Sequence, residues 1–487
     1  MIRIMKKINS KISLLTFLGL GLVVLTSSCK KDFLDVPVEG KLPIGYTKEL
    51  TADEAFQYVS ACYAGLRLWG VSAFPYVGMF EIVSDDADKG STEEDSPTMK
   101  EIDQFTVEPT NDLLSGFWDD HYTVISNTNY AINTMSTLAF KDTTVRNQLI
   151  GEAKFIRAFL YLQLNLAFGG VPVADTTLSA GEFAKIPRST KEEVYTFIEN
   201  DLKYAIKVLP VSYPPNETGR ATLGAAEALL ARVYMYEGNW SGVKTLTDDI
   251  ISSKQYILYP DFYGLFRVRG ENSPESIFEL QLTSMDQGKY RCDYGFVQGP
   301  RNNFAHLQGW GFCVPSNSLI SFFNSRHDSI RAAATLLYRG TRTPEGDSID
   351  IKCTNPVYNN KVYTQLKYNT VDYAVDHNIR FIRYAEVLLM NAEAALHVGG
   401  DAATPLNMVR ERAGLPDIAS PTLQDVWDER RAELALEEFR FYDLVRTGQA
   451  ATVLGPLGFD NGKNEVFPVP QTEIDLSNGV LVQNPGY

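Results

Sequence analysis

The chain has no H-E-x-x-H, no G-x-S-x-G and no Walker loop. Those absences remove the common zinc-protease, serine-hydrolase and P-loop arrangements. Its five histidines, His121, His306, His327, His377 and His397, fall at no metal-ligand spacing, and each reads as a surface or satisfied core histidine. Cysteine is scarce, five in 487 residues, and no two form a C-x-x-C pair, so a zinc or redox motif is unsupported. Basic residues are outnumbered, 45 against 60 acids, for a formal net charge of −15. Such a surface repels nucleic acid and anionic membranes. No apolar run approaches the roughly 20 residues that cross a bilayer as a helix. No Pro- or Ser-rich linker and no block of like charge interrupts the body of the chain, which therefore reads as one large unit.

What is present begins at the N-terminus. Arg3, Lys6, Lys7 and Lys11 stand without an acid, and Ile12 to Leu25 is almost entirely apolar or small. That run is too short to span a membrane but suits the centre of a secretory leader. It ends in "LTSSC", where small residues precede Cys29. The stretch resembles a bacterial lipobox, with Thr26 where leucine is usual. It implies removal of residues 1–28 and lipidation of Cys29, a two-or-more-chain anchor of the kind that holds a protein stably on a bilayer. Residues 29–487 lose four basic residues and no acid with the leader, so the mature chain is more acidic still. Outside the cytoplasm a disulfide is permitted. Cys292 and Cys313 are the candidate pair; four idle or buried thiols, Cys62 and Cys353 included, are the alternative.

Helical spacing is plain in several stretches. In "LGAAEALLARVYMYEGNWSGVKTLTDDIIS", Ala226, Leu229, Leu230, Val233 and Tyr234 share a face, Gly238 breaks the helix, and a second starts near Trp240. In "RFIRYAEVLLMNAEAALHVGGDAATPLNMVRERAGL", Phe381, Ala385, Leu388 and Ala392 line one face before the Gly399–Gly400 turn. Both are alanine-rich helical hairpins, similar to tetratricopeptide repeats at irregular spacing. Further helices are expected over Ala52–Leu68, Phe117–Leu138, Thr144–Phe168 and Lys191–Val208, with Trp118, Trp240 and Trp427 in the core. Near the C-terminus, Glu429, Arg430 and Glu433 sit at helical neighbour spacings and read as a solvated ion-pair face worth little.

From Ile257 to Thr370 the pattern changes to Gly, Pro, Asn and aromatics, with short β-prone runs such as "SIFELQL" (Ser276–Leu282). Binding residues tend to lie on such loops. "QGKYRCDYGFVQGPRNNFAHLQGWGFCVP" sets Tyr290, Tyr294, Phe296, Phe304 and Trp310 beside Arg301, Asn302, Asn303 and Gln308. Trp69, Phe74 and Tyr76 form a second aromatic cluster. Flat rings cover the C–H faces of sugars, and amides and guanidinium groups bond hydroxyls. Tyr290, Tyr294, Trp310, Trp69, Tyr76, Arg301, Asn302 and Asn303 are therefore the candidate ligand residues, with Tyr294, Phe296, Phe304 and Trp310 also open to a packing role. The acid-rich loop "SDDADKGSTEED" offers Asp85, Asp86 and Asp88 as oxygen ligands for a structural calcium, against a simply solvated loop. Acids are plentiful, but a glycosidase pair needs two carboxylates roughly 5–10 Å apart in a cleft, which counting does not reveal.

Across the chain, "DFLDVPVEG", "FWDDHYTVISNTNYAINTM", "GEAKFIRAFLYLQLNLAFGGVPV", "GRATLGAAEALLARVYMYEGNW", "GWGFCVPSNSLISFF", "IRYAEVLLMNAEAAL", "LNMVRERAGLP", "ERRAELALEEFRFYDLVRTG" and "FPVPQTEIDLSNGVLVQNPGY" follow one another. In this order they resemble the SusD/RagB family of outer-membrane lipoproteins of Bacteroidetes, over nearly the whole mature chain. The resemblance implies a mainly α SusD-like fold of tetratricopeptide-like hairpins, long loops and a few short strands. It implies one unit over 29–487, with helical parts at 29–255 and 371–487 flanking a loop-rich ligand-binding region at 256–370. It further implies a surface-exposed, lipid-anchored glycan-binding protein, without catalysis. Such a protein delivers ligand to a SusC-like TonB-dependent β-barrel transporter. A peptide-binding RagB-like protein or a tetratricopeptide-type interaction scaffold is the alternative. A surface hydrolase is a third class.

Overall fold

Capping side chains set the helix boundaries in the computed structural model, which describes residues 49–283, 292–304, 309–368 and 377–487. Cys29, the leader and Tyr290 lie outside the described residues. Thr51 opens α1 (Ala52–Gly65) with a reciprocal bond to Glu54. Asn111 caps α2 (Asp112–Thr137) and Asp142 caps α3 (Thr143–Phe168). Thr190 and Glu193 form a capping box at the start of α4 (Lys191–Val208). Each such cap satisfies amide donors that the first helical turn leaves unpaired. α5 (Leu223–Glu237) ends at Gly238, whose φ of 75° suits a residue without Cβ. Asn239 then caps α6 (Trp240–Ser253).

From Leu149 onward every α3 residue is buried except Lys154. α3 lies against α4, and the α5–α6 hairpin packs on α9 (Tyr384–Val398), which turns into α10 (Ala403–Arg412) and meets α11 (Leu423–Leu434). Small residues permit these close approaches. Ala225, Ala226, Ala228 and Ala231 of α5 and Ala385, Ala392 and Ala394 of α9 are fully buried. A Cβ on Gly151 of α3 would stand 2.5 Å from Val208, so the α3–α4 seam requires glycine there. Trp118 is core, while Trp240 and Trp427 are half-buried.

Strands are few and short. β1 (Ala87–Gly90) pairs antiparallel with β3 (Phe312–Pro315), β2 (Ser276–Leu280) with β6 (Ile379–Arg383), and β4 (Leu336–Tyr338) with β5 (Val357–Asn359). Phe381, read above as helical, belongs to β6. Its strand neighbours Ile379 and Ile382 are β-branched and pair with β2, and the helix begins only at Tyr384. The Cys292–Cys313 disulfide is absent. All four described cysteines are buried thiols, and Cys292 Sγ donates to the Ser72 carbonyl at 3.6 Å.

The expected solvated face of Glu429 and Glu433 is also corrected. These carboxylates are fully buried within an ionic lattice that ties the loop-rich region to the C-terminal helices. Arg383 of β6 donates to Glu437 Oε2 at 2.7 Å, Glu275 Oε1 at 2.6 Å and Glu433 Oε1 at 3.0 Å. Arg412 bonds Glu275 Oε2 at 2.6 Å and also Glu433. Arg331, on α8 (Ser329–Thr335) after α7 (Asn317–Arg326), holds Glu429 Oε1 at 2.6 Å and Asp328 Oδ2 at 2.6 Å. Burial alone would raise the Glu433 carboxyl; Arg412, Arg383 and Arg331 hold it well below the usual range.

Candidate functional site

Where β1 meets β3, two glycines let the backbones touch. Gly90 and Gly311 have φ of 71° and 76°, and a Cβ on Gly90 would stand 2.4 Å from the Gly311 carbonyl. The residue between Gly309 and Gly311 is Trp310. Its amide donates to the Phe296 carbonyl at 2.9 Å, and its carbonyl lies 2.8 Å from Ser91 Oγ. The backbone is pinned from both sides, yet the side chain is 37% exposed.

Three rings brace the indole edge-on. Trp69 lies 5.7 Å away at 67°, Phe74 5.9 Å at 85° and Phe296 5.6 Å at 73°. Phe74 in turn meets Phe312 at 4.8 Å. Edge-to-face contacts of this kind add roughly 0.5–1.5 kcal/mol each beyond area burial. The result is an outward-facing indole with a rigid aromatic bed, so little conformational freedom is lost when a flat ligand lands on it.

A polar flank stands beside it. Arg301 Nη1 donates to Ser91 Oγ at 2.7 Å and to Asp95, and a Cβ on Gly311 would meet Arg301 Cβ at 2.9 Å. Asp95 also accepts from Ser91 Oγ at 2.8 Å and Thr92 Oγ1 at 2.9 Å. Those hydrogen bonds, Ser91's first, with the Arg301 charge hold its carboxyl below the usual range. Both partners of the pair remain 31% exposed. Phe304, three residues beyond Arg301, is 69% exposed.

The predicted site residues separate into two groups. Trp69, Trp310 and Arg301 come together at this surface. Tyr76 and Tyr294 do not face it: they are 5% and 8% exposed, and are core. Tyr76 packs on Phe80 at 4.9 Å. The Tyr294 hydroxyl donates to buried Glu438, whose amide donates to Glu81 Oε2 at 2.5 Å. Burial first, then the charge of neighbouring Glu437, pushes Glu438 up to about 8 despite the Tyr294 bond. Asn303 is fully buried and takes the Asp350 amide at 3.0 Å; Asn302 donates to Thr354 Oγ1 at 2.9 Å. Both amides bond within the protein, and Asn302 is half-buried.

The calcium expectation is overturned as well. Asp85 and Asp86 are buried and engaged by cations: Arg440 Nε to Asp85 Oδ1 at 2.7 Å, Arg431 Nη2 to Asp85 Oδ2 at 2.8 Å, and Arg431 Nε to Asp86 Oδ1 at 2.8 Å. Asp88 alone is exposed, and no metal-holding cluster of three such side chains occurs among the described residues. The same loop supplies Ser91 and Asp95, the partners of Arg301, which the sequence reading missed. Their only signal in the sequence is the acid-rich stretch, whose oxygens suit a metal equally well.

Comparison with known proteins agrees with this architecture. The model described as "SusD family" matches residues 336–487, and one described as "Starch-binding associating with outer membrane" matches 78–235. SusD-like protein P2 of Formosa agariphila is 28% identical over 97% of this chain and 99% of its own. Starch-binding protein SusD of Bacteroides thetaiotaomicron is 26% identical over 69% of this chain and 72% of its own. Among solved structures, a laminarin binding SusD-like protein superposes with a TM-score of 0.80 at 28% identity, covering 91% of this chain and 100% of that one. Surface glycan-binding protein A from Bacteroides thetaiotaomicron, in complex with laminarihexaose, gives 0.77 at 26%, covering 89% and 99%. With two family models on separate stretches, near full-length relatives and a shared mainly helical fold, the chain belongs to the SusD/RagB family.

Proposed function

We propose that this chain captures an oligosaccharide on the Trp69–Trp310 surface and delivers it, without cleaving it, to a SusC-like TonB-dependent transporter in the outer membrane. The observation that carries the reading is Trp310: a rigidly braced indole left open to water beside an arginine. The part of the ring left in water costs solubility, whereas it gives a sugar ring a prepared face. Arg301 and its hydroxyl-bearing neighbours supply hydrogen bonds to sugar hydroxyls. The relatives that bind laminarin and starch support the ligand class. Cys29 is the lipid anchor in this reading, exposed on the cell after loss of residues 1–28, with 29–487 acting as one unit.

The test has two arms. Titration of the purified protein with laminarihexaose and maltohexaose should give saturable heat and no new reducing ends; reducing ends accumulating with time would make it a hydrolase. Cys29→Ala should move the protein from outer-membrane fractions to a soluble pool or stall its processing, and the wild type should co-purify with a β-barrel under mild detergent. Equal membrane retention of both forms contradicts the anchor.

A further inference from the structure

Away from Trp310, a cavity of about 520 Å³ opens between the α5–α6 hairpin, α9, α11 and the segment Arg440–Arg446. We propose that it is a second oligosaccharide site, which rests on the reading of the chain as a glycan binder. The hollow opens to solvent, and Lys191, Glu237 and His397 of its lining are exposed. Its volume falls in the range of small-ligand sites, roughly 300–1,000 Å³.

Two indoles line it, each fixed by a partner that does not fill it. Trp240 stacks on the His397 imidazole at 4.0 Å and 7° between planes. Trp427 Nε1 donates to Glu393 Oε1 at 2.8 Å, and fully buried Glu393 is itself clamped by Arg446 at 2.6 and 2.9 Å. Rings held in this way are prepared for stacking before any ligand arrives. The polar wall carries both signs. The Lys191 ammonium, which also lines the cavity, makes no ion pair with a carboxylate among the described residues and stands 5.8 Å from the centre of the Tyr195 ring. Glu237 faces the same space, and burial, then Glu199, pushes it up to about 7, where a carboxyl both donates and accepts. Arg446 is already occupied by Glu393 and Asp443. With Lys191 and Arg446 set against Glu237, Glu393 and Glu465 the lining carries no strong excess of one sign, and neutral hydroxyls find donors, acceptors and two indole rings.

Calorimetric titration of the full chain in detergent with laminari-, malto-, xylo- and mannohexaose tests this. Two sites per chain are expected for at least one of the four. Trp240→Ala and, separately, Lys191→Ala should weaken one site about tenfold, and Trp310→Ala the other. Melting curves run beside each titration identify any unfolded variant, and Lys191→Ala, on an exposed side chain, keeps the question open to an answer if Trp240→Ala misfolds. A single site lost with Trp310→Ala and untouched by the other two overturns this inference and leaves the proposed function standing. A single site lost with Trp240→Ala and retained by Trp310→Ala does the reverse. No binding to any of the four overturns both.

Discussion

The lattice around Arg383 and the surface around Trp310 are built from the same residue types and differ in every consequence. In the lattice, arginines face carboxylates and aromatic rings: Arg383 lies 5.4 Å from the Phe266 ring, Arg412 4.9 Å from Phe262 and Lys361 4.7 Å from Phe266. All these charges are buried and paired. At the surface, Arg301 faces Asp95 and flanks indoles, but both charges and Trp310 keep contact with water. Burying charges removes their hydration, so the lattice holds only while every member is matched. Leaving the indole wet keeps a favourable contact available for something other than the protein. One arrangement joins segments; the other leaves a braced ring open to water.

The largest effect should come from breaking the lattice. Arg383→Ala leaves Glu275, Glu433 and Glu437 short of a buried partner, and removal of one member of a buried pair costs about 3–5 kcal/mol. Urea unfolding should lose that much, while hexasaccharide affinity of the folded fraction stays unchanged. A loss below about 1 kcal/mol would make the lattice no different from a surface pair.

A pH series sharpens the same contrast. Glu438 sits near 8 in the folded chain against an ordinary 4.5, so the folded state binds the proton more tightly than the unfolded one. Its contribution is full below about 4.5 and is lost as pH rises toward 8. Over pH 6 to pH 8 this removes about 2 kcal/mol, and Glu438→Gln should flatten that decline, because the amide still accepts from Tyr294. Glu433 works in the opposite sense: its lowered carboxyl contributes above the ordinary range and is lost on acidification. Wild-type stability should therefore fall on both sides, and only the alkaline side should respond to Glu438→Gln. An unchanged slope in thermal melts between pH 6 and pH 8 would contradict the assignment.

Smallest is the exposed ion pair. Arg301→Ala should cost less than about 1 kcal/mol of stability, as exposed pairs do. It should weaken hexasaccharide binding about threefold to tenfold, the worth of one hydrogen bond. A stability loss as large as that of Arg383→Ala would erase the difference between the two regions.

Much of the helical body was legible because its signals are local. Thr190 with Glu193, and Gly238 with Asn239, mark ends that the structure places at or beside the expected residues. Ala52–Leu68 was read three residues long, since nothing local announces that the helix stops at Gly65, packed against Val124. The lattice was invisible for the opposite reason. Glu429 and Glu433 have the spacing of a solvated face, and only Arg326, Arg331, Arg383, Arg410 and Arg412, remote in sequence or on another helix, bury them. Aromatic density marked the loops that meet around Trp310 but not which of their rings stay exposed. Tyr76 and Tyr294 differ from Trp69 and Trp310 in what covers them, which depends on Phe80 and Glu438.

The central claim is that Trp310 is exposed for a ligand and not for packing. Paired calorimetry and thermal melting of wild type and Trp310→Ala test it directly. Loss of one stacking ring, of the order of 1 kcal/mol, should weaken hexasaccharide binding at the surface site about fivefold to tenfold, beside the modest fall in melting temperature that loss of its three ring contacts brings. Unaltered affinity together with an early melt would make Trp310 a packing residue and place the ligand elsewhere.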